Sequence, residues 1–181
     1  MSDDEWYEDA RKFNVAFKES VAEVQSWITD EPWIIDGIYG HVPMDCAGGY
    51  QFDMWRSTPA NWRAGTDAET AARRLGDWLW EQGWSVKLHT YGEGIDNVVI
   101  TASNNEKHVA DLYVNFLLGS HRDIVSLEAT STCRPGDPNE LMDILDPGWL
   151  TETEDPVMPE TEVPGTPPIF GFNEDGTPRS T

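Results

Sequence analysis

The chain contains two cysteines, Cys46 and Cys133, and their positions constrain the fold more than any other feature. A disulfide accounts for both residues, whereas a free thiol would account for only one of them. Cys46 lies four residues before the first predicted strand, and Cys133 directly follows the fifth. If those two strands are antiparallel neighbours, the ends that carry the cysteines meet. We therefore predict a Cys46–Cys133 disulfide and an extracellular or cell-envelope location, since disulfides persist in oxidising compartments.

Hydrophobic periodicity predicts two amphipathic helices. Residues 3–28 carry apolar side chains at spacings of three and four, and Ser2 with Glu5 forms a capping box at their start. The second helix has Thr66 as its predicted N-cap, with Glu69 three residues later, and it ends at Gly83. Both helices present one apolar face, so we expect both to pack on a sheet.

Five short segments predict β-strands, because they alternate in polarity or are rich in β-branched residues. They are residues 50–56, 86–91, 97–102, 109–117 and 124–132. Hairpin-length turns join the last four, which indicates an antiparallel meander. The predicted fold class is α+β: an N-terminal helix followed by β-α-β-β-β-β. The sheet is mainly antiparallel and five-stranded, in the order 1-5-4-3-2, and two helices pack on it.

The domain organisation follows from a shift in composition. Residues 1–145 are predicted to form one α+β domain that ends in a short helix over 139–145. Residues 146–181 form an acidic, proline-rich tail, and over 146–168 they offer too little apolar surface to order on their own. Within the tail, residues 167–172 are apolar and aromatic. Docking of this island onto its own domain and recognition by a partner remain alternatives.

The formal net charge is −21, from 33 acidic and 12 basic residues. Such a surface repels phosphates and anionic headgroups, so we expect no nucleic-acid partner and no binding to membrane surfaces. The chain begins Met-Ser-Asp-Asp-Glu, without the basic and apolar regions of a secretion signal. Taken alone, this start favours a cytosolic protein, whereas the cysteine pair favours export; a mature or recombinant chain whose leader has been removed would reconcile the two. Membrane anchoring would then come only from a missing N-terminal lipid signal.

Signals for catalysis and metal binding are weak. His41 and Asp45 lie close to Cys46, so a cysteine nucleophile can be drawn, but the predicted disulfide removes its thiol. Paired carboxylates such as Asp53 and Glu128 can be nominated in any chain this acidic. The four histidines are scattered without a zinc-ligand spacing: His41, His89, His108 and His121. We predict no catalytic residue, no metal site and no cofactor.

Aromatic side chains offer the best candidates for a binding surface. The chain has nine tryptophans, and Trp78 falls on the apolar stripe of the second helix, which predicts a core position. Four others fall outside the helical stripes, and exposed aromatic residues mark recognition surfaces. With two phenylalanines of the tail island they form the predicted binding set: Trp55, Trp62, Trp80, Trp84, Phe170 and Phe172.

Three short stretches carry a resemblance. They are residues 40–52, with Gly40-His41-Val42-Pro43, Cys46 and Gly48-Gly49-Tyr50-Gln51-Phe52; residues 78–84, with Trp78-Leu79 and Gln82-Gly83-Trp84; and Ser131-Thr132-Cys133-Arg134-Pro135-Gly136-Asp137. With its N-terminal helix, the chain resembles small actinobacterial envelope lipoproteins or secreted proteins of uncharacterised function. The likeness covers most of residues 3–145. It implies an exported α+β domain with a cysteine pair, and it implies no activity.

Three functional hypotheses follow. The first is a non-enzymatic exported envelope or secreted module that binds a protein, peptide or glycan through exposed aromatic residues. The alternative is a cytosolic or phage-encoded acidic inhibitor that mimics DNA, which the charge of −21 and the leaderless start favour. A third, a small hydrolase, would require a cleft that holds a group with a perturbed pKa.

Overall fold

The structure is a computed structural model that describes residues 1–91, 97–119, 121–151 and 156–179. The helices are α1 (Asp3–Ile28), α2 (Ala68–Glu81) and α3 (Pro138–Leu145), with a 3-10 turn at Asn105–Lys107. The strands are β1 (Trp33–Ile35), β2 (Met44–Cys46), β3 (Gly49–Gln51), β4 (Asp53–Ser57), β5 (Ser85–Thr90), β6 (Asn97–Asn104), β7 (Val109–Leu118), β8 (Asp123–Ser131), β9 (Arg134–Pro135) and β10 (Thr161–Glu162). The predicted α+β class is confirmed.

Helices α1 and α2 begin at side chains that cap their first turns. In α1 the Ser2 hydroxyl accepts the N–H of Glu5, and the Glu5 carboxylate accepts the N–H of Ser2, as predicted. The N-cap of α2 is Asp67 rather than the predicted Thr66, because the Asp67 carboxylate accepts the N–H of Thr70 at 2.8 Å. A carboxylate also complements the positive end of the helix dipole.

Seven strands form the main sheet, in the order β10-β1-β4-β8-β7-β6-β5, and every neighbouring pair is antiparallel. The five predicted strands correspond to β4, β8, β7, β6 and β5, which lie in the predicted order. The predicted count of five is wrong, because β1 and β10 extend the sheet beyond β4. They contain three and two residues, which is too short to show an alternating pattern in the sequence.

A second sheet, β2-β3-β9, divides the first predicted strand. Residues 50 and 51 belong to β3, whereas residues 53–57 form β4 in the main sheet. The change of sheet falls at Phe52, whose N–H donates to Ser131 Oγ at 2.9 Å and whose carbonyl accepts the N–H of Ser131 at 2.8 Å. Gly49 is required in β3, because a Cβ there would overlap the carbonyl oxygen of Arg134.

The predicted disulfide is confirmed. Cys46 in β2 is bonded to Cys133, which lies between β8 and β9, and their Cα atoms are 6.0 Å apart. The bond joins the segment that leads into β4 to the segment that leaves β8. Because β4 and β8 are antiparallel neighbours, these two ends lie together.

Helices α1 and α2 cover one face of the main sheet. The alternation in β7 and β8 turns apolar side chains toward them, and these are buried: Leu112, Val114, Phe116, Val125, Leu127 and Ala129. The alternate positions point to the opposite face. None of the helices in the described ranges packs on that face, which is called the open face below.

The described part of the predicted tail contacts the domain. Strand β10 pairs with β1, the Tyr7 hydroxyl donates to the carbonyl of Phe170 at 2.8 Å, and the N–H of Ile169 donates to the Tyr39 hydroxyl at 2.9 Å. Phe170 and Phe172 are buried. The segment orders by adding to a core that residues 1–145 supply, so it needs no core of its own. For the aromatic island, the structure therefore shows docking onto its own domain.

We expect the double variant Cys46→Ser with Cys133→Ser to lower the free energy of unfolding by on the order of 4 kcal/mol. The bond joins residues 87 positions apart, and its loss frees the unfolded chain. Denaturant titrations of the oxidised wild type and of the variant measure the difference. Reductant is the matched control, because it should weaken the wild type equally and leave the variant unchanged. Equal stability of the two oxidised proteins would contradict the prediction.

Candidate functional site

A row of side chains crosses the open face of the main sheet. Trp55 of β4 is paired with Glu128 of β8, Glu128 with Tyr113 of β7, and Tyr113 with Thr101 of β6. Directly paired residues point to the same face of a sheet. Two aromatic rings therefore flank one carboxylate, separated by two inter-strand spacings or roughly 10 Å.

A second row lies beside the aromatic one, and its side chains are polar except for the buried Val99. Its pairings run from Ser57 through Ser126, Asn115 and Val99 to His89, from β4 across to β5. His89 Nε2 also lies 3.5 Å from the hydroxyl of Thr101 in the first row. Hydroxyl, amide and imidazole groups thus lie next to the aromatic rings.

The aromatic residues of the open face are accessible. Trp55 is 41% exposed, and Tyr91, which follows β5, is also exposed. Partial burial raises the pKa of Tyr113, and the nearby Tyr91 and Glu128 raise it further. The Tyr113 hydroxyl therefore stays protonated at neutral pH and can donate a hydrogen bond.

The other predicted binding residues do not join Trp55. Trp80 is 71% exposed, but it lies on α2, on the helix-covered side of the sheet. Trp62 is half-buried and packs against the core. Trp84, Phe170 and Phe172 are buried, so they lie in the core and not on a surface that a partner would meet.

Trp84 is buried because of the way α2 ends. Gly83 has a φ of +84°, and its N–H donates to the carbonyl of Trp80 while the N–H of Trp84 donates to the carbonyl of Leu79. This pair of hydrogen bonds is the Schellman motif, in which the residue after the glycine packs back on the helix. Trp84, which lies outside the apolar stripe of α2, is thereby buried in the core beside Leu79.

A tryptophan pair that the sequence did not single out lies between α1 and α2. Trp27 stacks on Trp78, with ring centroids 5.7 Å apart and an interplanar angle of 24°. Trp78, predicted to be core, is half-buried, and Trp27 lies outside the apolar stripe of α1. The pair joins the two helices.

A buried arginine connects β4 to the C-terminal segment. Arg56 is fully buried and forms a salt bridge with Glu162 of β10. It also donates hydrogen bonds to the carbonyls of Ile38, Tyr39 and Trp55. Its charge is therefore paired, and its guanidinium group is fixed in position.

A buried lysine lies near this arginine without an anion of its own. Lys18 of α1 is 7% exposed, and its Nζ lies 3.7 Å from the centroid of the Tyr39 ring. Nζ has no hydrogen-bond partner among the described residues. Burial, helped by the positive charge of Arg56, lowers the pKa of Lys18 well below its usual value. Glu162 acts in the opposite direction, but it is already paired with Arg56.

His41 lies in the same buried region. Its ring centroid is 5.7 Å from that of Tyr39 and 5.6 Å from that of Phe172. Burial, with a smaller effect from Lys18, lowers the pKa of His41 to about 4. The imidazole is therefore neutral at physiological pH.

Sequence reasoning missed this buried polar group, although α1 carries a signal for it. Asn14, Lys18 and Gln25 follow one another at spacings of four and seven and are all buried. These spacings place them on the same side of the helix as Phe17 and Val21. Polar residues within an apolar stripe are unusual, because such side chains are mostly exposed.

Both cysteines are held in the disulfide, so Cys46 offers no thiol to act as a nucleophile. The bond is typical of non-reducing compartments. Across the four described ranges, no group of three or more His, Cys, Asp or Glu side chains is placed to hold a metal ion. In the same ranges, no helix has both the length and the apolar character needed to cross a membrane.

No family model and no curated protein matches this chain. Among solved structures, it is similar to a DUF4853 family protein from Actinomyces odontolyticus, with 15% sequence identity and a TM-score of 0.40. The match covers 90% of this chain and 75% of that protein.

We expect His41 to destabilise the folded state as the pH falls from about 6.5 to about 4. The unfolded chain takes up a proton near the ordinary histidine pKa of about 6.5. The folded chain takes it up only near the lowered pKa of His41, about 4. The unfolded state therefore binds more protons in this window, and stability increases with pH across it. The whole effect is on the order of 3 kcal/mol.

Denaturant titrations at about pH 7 and about pH 5 measure this effect. His41→Asn should reduce the loss of stability between the two conditions. His121→Asn, which changes an exposed histidine, is the matched control and should retain the wild-type loss. If His41→Asn shows the same pH dependence as the wild type, the prediction is wrong.

Proposed function

We propose that this protein is a non-enzymatic exported module, secreted or held in the cell envelope, whose open sheet face binds a glycan. The observation that carries the proposal is the row in which Trp55 and Tyr113 flank Glu128 on an accessible face. Exposed aromatic rings on a sheet face that none of the described helices covers are typical of recognition surfaces.

The chemistry of the two rows favours a sugar over an apolar ligand. A pyranose ring has an apolar face that packs on an aromatic ring and an edge of hydroxyl groups that need hydrogen bonds. On the open face, the aromatic rings adjoin the side chains of Ser57, Ser126, Asn115 and Thr101. A small number of polar groups beside aromatic side chains fixes the orientation of a bound ligand.

The negative charge of the protein restricts the class of glycan that can bind. The chain carries a formal net charge of −21, and Glu128 lies between the two rings. Uronic acids, sulfates and phosphates would be repelled by this surface. The glycan is therefore neutral or carries an amine.

The disulfide supports the exported location over a cytosolic acidic inhibitor. Cys46 and Cys133 are bonded, and cytosolic thiol reductants would open such a bond. A cytosolic protein would thus lose the stabilisation that closing this loop provides. An exported module keeps it and meets the glycans of the cell surface.

The test is a titration of the oxidised protein with neutral oligosaccharides of glucose, mannose and N-acetylglucosamine, followed by tryptophan fluorescence and calorimetry. Trp55→Ala should weaken binding by about tenfold or more, since aromatic residues at the centre of a site dominate its affinity. Trp80→Ala is the matched control, because it removes an exposed tryptophan from the other side of the sheet. It should bind like the wild type.

Two results would overturn the proposal. One is the absence of binding to every neutral oligosaccharide of the panel. The other is binding that Trp55→Ala leaves intact, since the ligand would then lie elsewhere. If a peptide or protein binds to the face that carries Trp55 and no glycan does, the ligand of this face is that peptide or protein and not a glycan.

A further inference from the structure

A cavity of about 230 Å³ lies between α1 and the C-terminal segment, on the other side of the sheet from Trp55. Helix α1 provides one wall, β4 contributes Met54, and residues 162–168 provide much of the opposite wall. Apolar side chains form part of the lining, and they include Val15, Ala22, Val163 and Pro168. The cavity can therefore hold a small molecule with an apolar body.

Among the polar side chains that line this cavity, two are buried and have a nitrogen without a hydrogen-bond partner among the described residues. They are Lys18, with Nζ, and Gln25, with Nε2. Lys18 is 7% exposed and Gln25 is 1% exposed. They are seven residues apart on α1, so they lie on the same side of the helix two turns from each other. Both nitrogens are hydrogen-bond donors, and buried donors without acceptors destabilise a protein.

The charges around the cavity leave Lys18 available. Arg56 and Glu162 are paired with each other, and Arg56 also donates to three backbone carbonyls. The other titratable groups near Lys18 are Tyr39, which its Nζ approaches, and His41. Arg11 and Glu19 of α1 also line the cavity, and Arg11 is paired with Glu8.

We propose that this cavity binds a small carboxylate with an apolar body, whose carboxylate oxygens accept hydrogen bonds from Lys18 Nζ and Gln25 Nε2. The carboxylate supplies acceptors for these two nitrogens and a negative charge beside Lys18, since Glu162 is already paired with Arg56 and Glu19 is exposed. The apolar body lies against Val15, Ala22 and Met54. This site is separate from the glycan-binding face, and neither proposal depends on the other.

Binding has a proton signature that sets it apart from simple burial of an apolar molecule. Burial lowers the pKa of Lys18 and so favours the neutral amine in the empty site. A carboxylate favours the ammonium form, because an adjacent opposite charge raises the pKa of a lysine. Binding should therefore raise the pKa of Lys18 and take up protons.

The experiment uses hexanoate as the probe, with hexanol and hexylamine as controls of the same chain length. Isothermal titrations near pH 7.5, in two buffers that differ in ionisation enthalpy, give both the affinity and the number of protons taken up. We expect hexanoate to bind more tightly than either control, with uptake of protons. Trp55→Ala should leave both values unchanged.

Lys18→Met keeps the length of the side chain and removes the amine. It should weaken hexanoate binding by about tenfold or more, as expected for the loss of a charged hydrogen bond, and abolish the proton uptake. Thermal unfolding of the variant checks its fold, and Gln25→Leu gives an independent second variant that should also bind more weakly.

The measurements on the wild type test the proposed carboxylate site even if a variant fails to fold. Equal affinity for hexanoate and hexanol, or proton uptake that a folded Lys18→Met retains, would overturn the proposal. Absence of hexanoate binding at millimolar concentration would also overturn it. A folded Lys18→Met that binds hexanoate as the wild type does would show that the amine is not the partner of the carboxylate.

Discussion

The antiparallel pairing of β4 with β8 determines where both candidate sites lie. Its five paired positions run from Asp53 with Thr130 to Ser57 with Ser126, and the disulfide lies beyond its end. Successive side chains of a strand point to opposite faces. This register sends Trp55 to the open face and Arg56 into the core. A shift of one residue would exchange them, and the core would then receive an indole where the guanidinium meets Glu162.

The two buried cations near this strand differ in how they are compensated. Arg56 is paired with Glu162 and donates hydrogen bonds to backbone carbonyls, so its buried charge is compensated by an anion and by these hydrogen bonds. The Nζ of Lys18 lies against the ring of Tyr39 and has no hydrogen-bond partner among the described residues, although a charged group without a partner is costly in the core. A methionine would fill the same space without that cost. A local conflict of this kind, in a helix with a long apolar stripe, is typical of a functional position.

The sequence predicts the helices and strands whose hydrophobic pattern extends over many residues, together with the disulfide. The stripe of α1, the alternation in β7 and β8 and the placement of two cysteines are enough for the order of five strands and for the disulfide. Strands β1 and β10 are too short to show a period, and their pairing comes from tertiary contact. Trp55 was selected because it falls outside the helical stripes, and the structure places it exposed on β4. Trp84 was misplaced because the Schellman turn at Gly83, which decides its burial, follows from backbone geometry and not from periodicity.

The cavity at Lys18 exists because the C-terminal segment docks. This segment has little regular structure, and two features hold it: the pairing of Glu162 with Arg56 at one end and the buried ring of Phe170 at the other. Between them, Pro167 and Pro168 form part of the cavity wall. Any molecule in the cavity touches α1 and the segment together, so its binding free energy adds to the stability of the docked state. An acidic, proline-rich segment that could not order alone thereby becomes a structural part of a binding site.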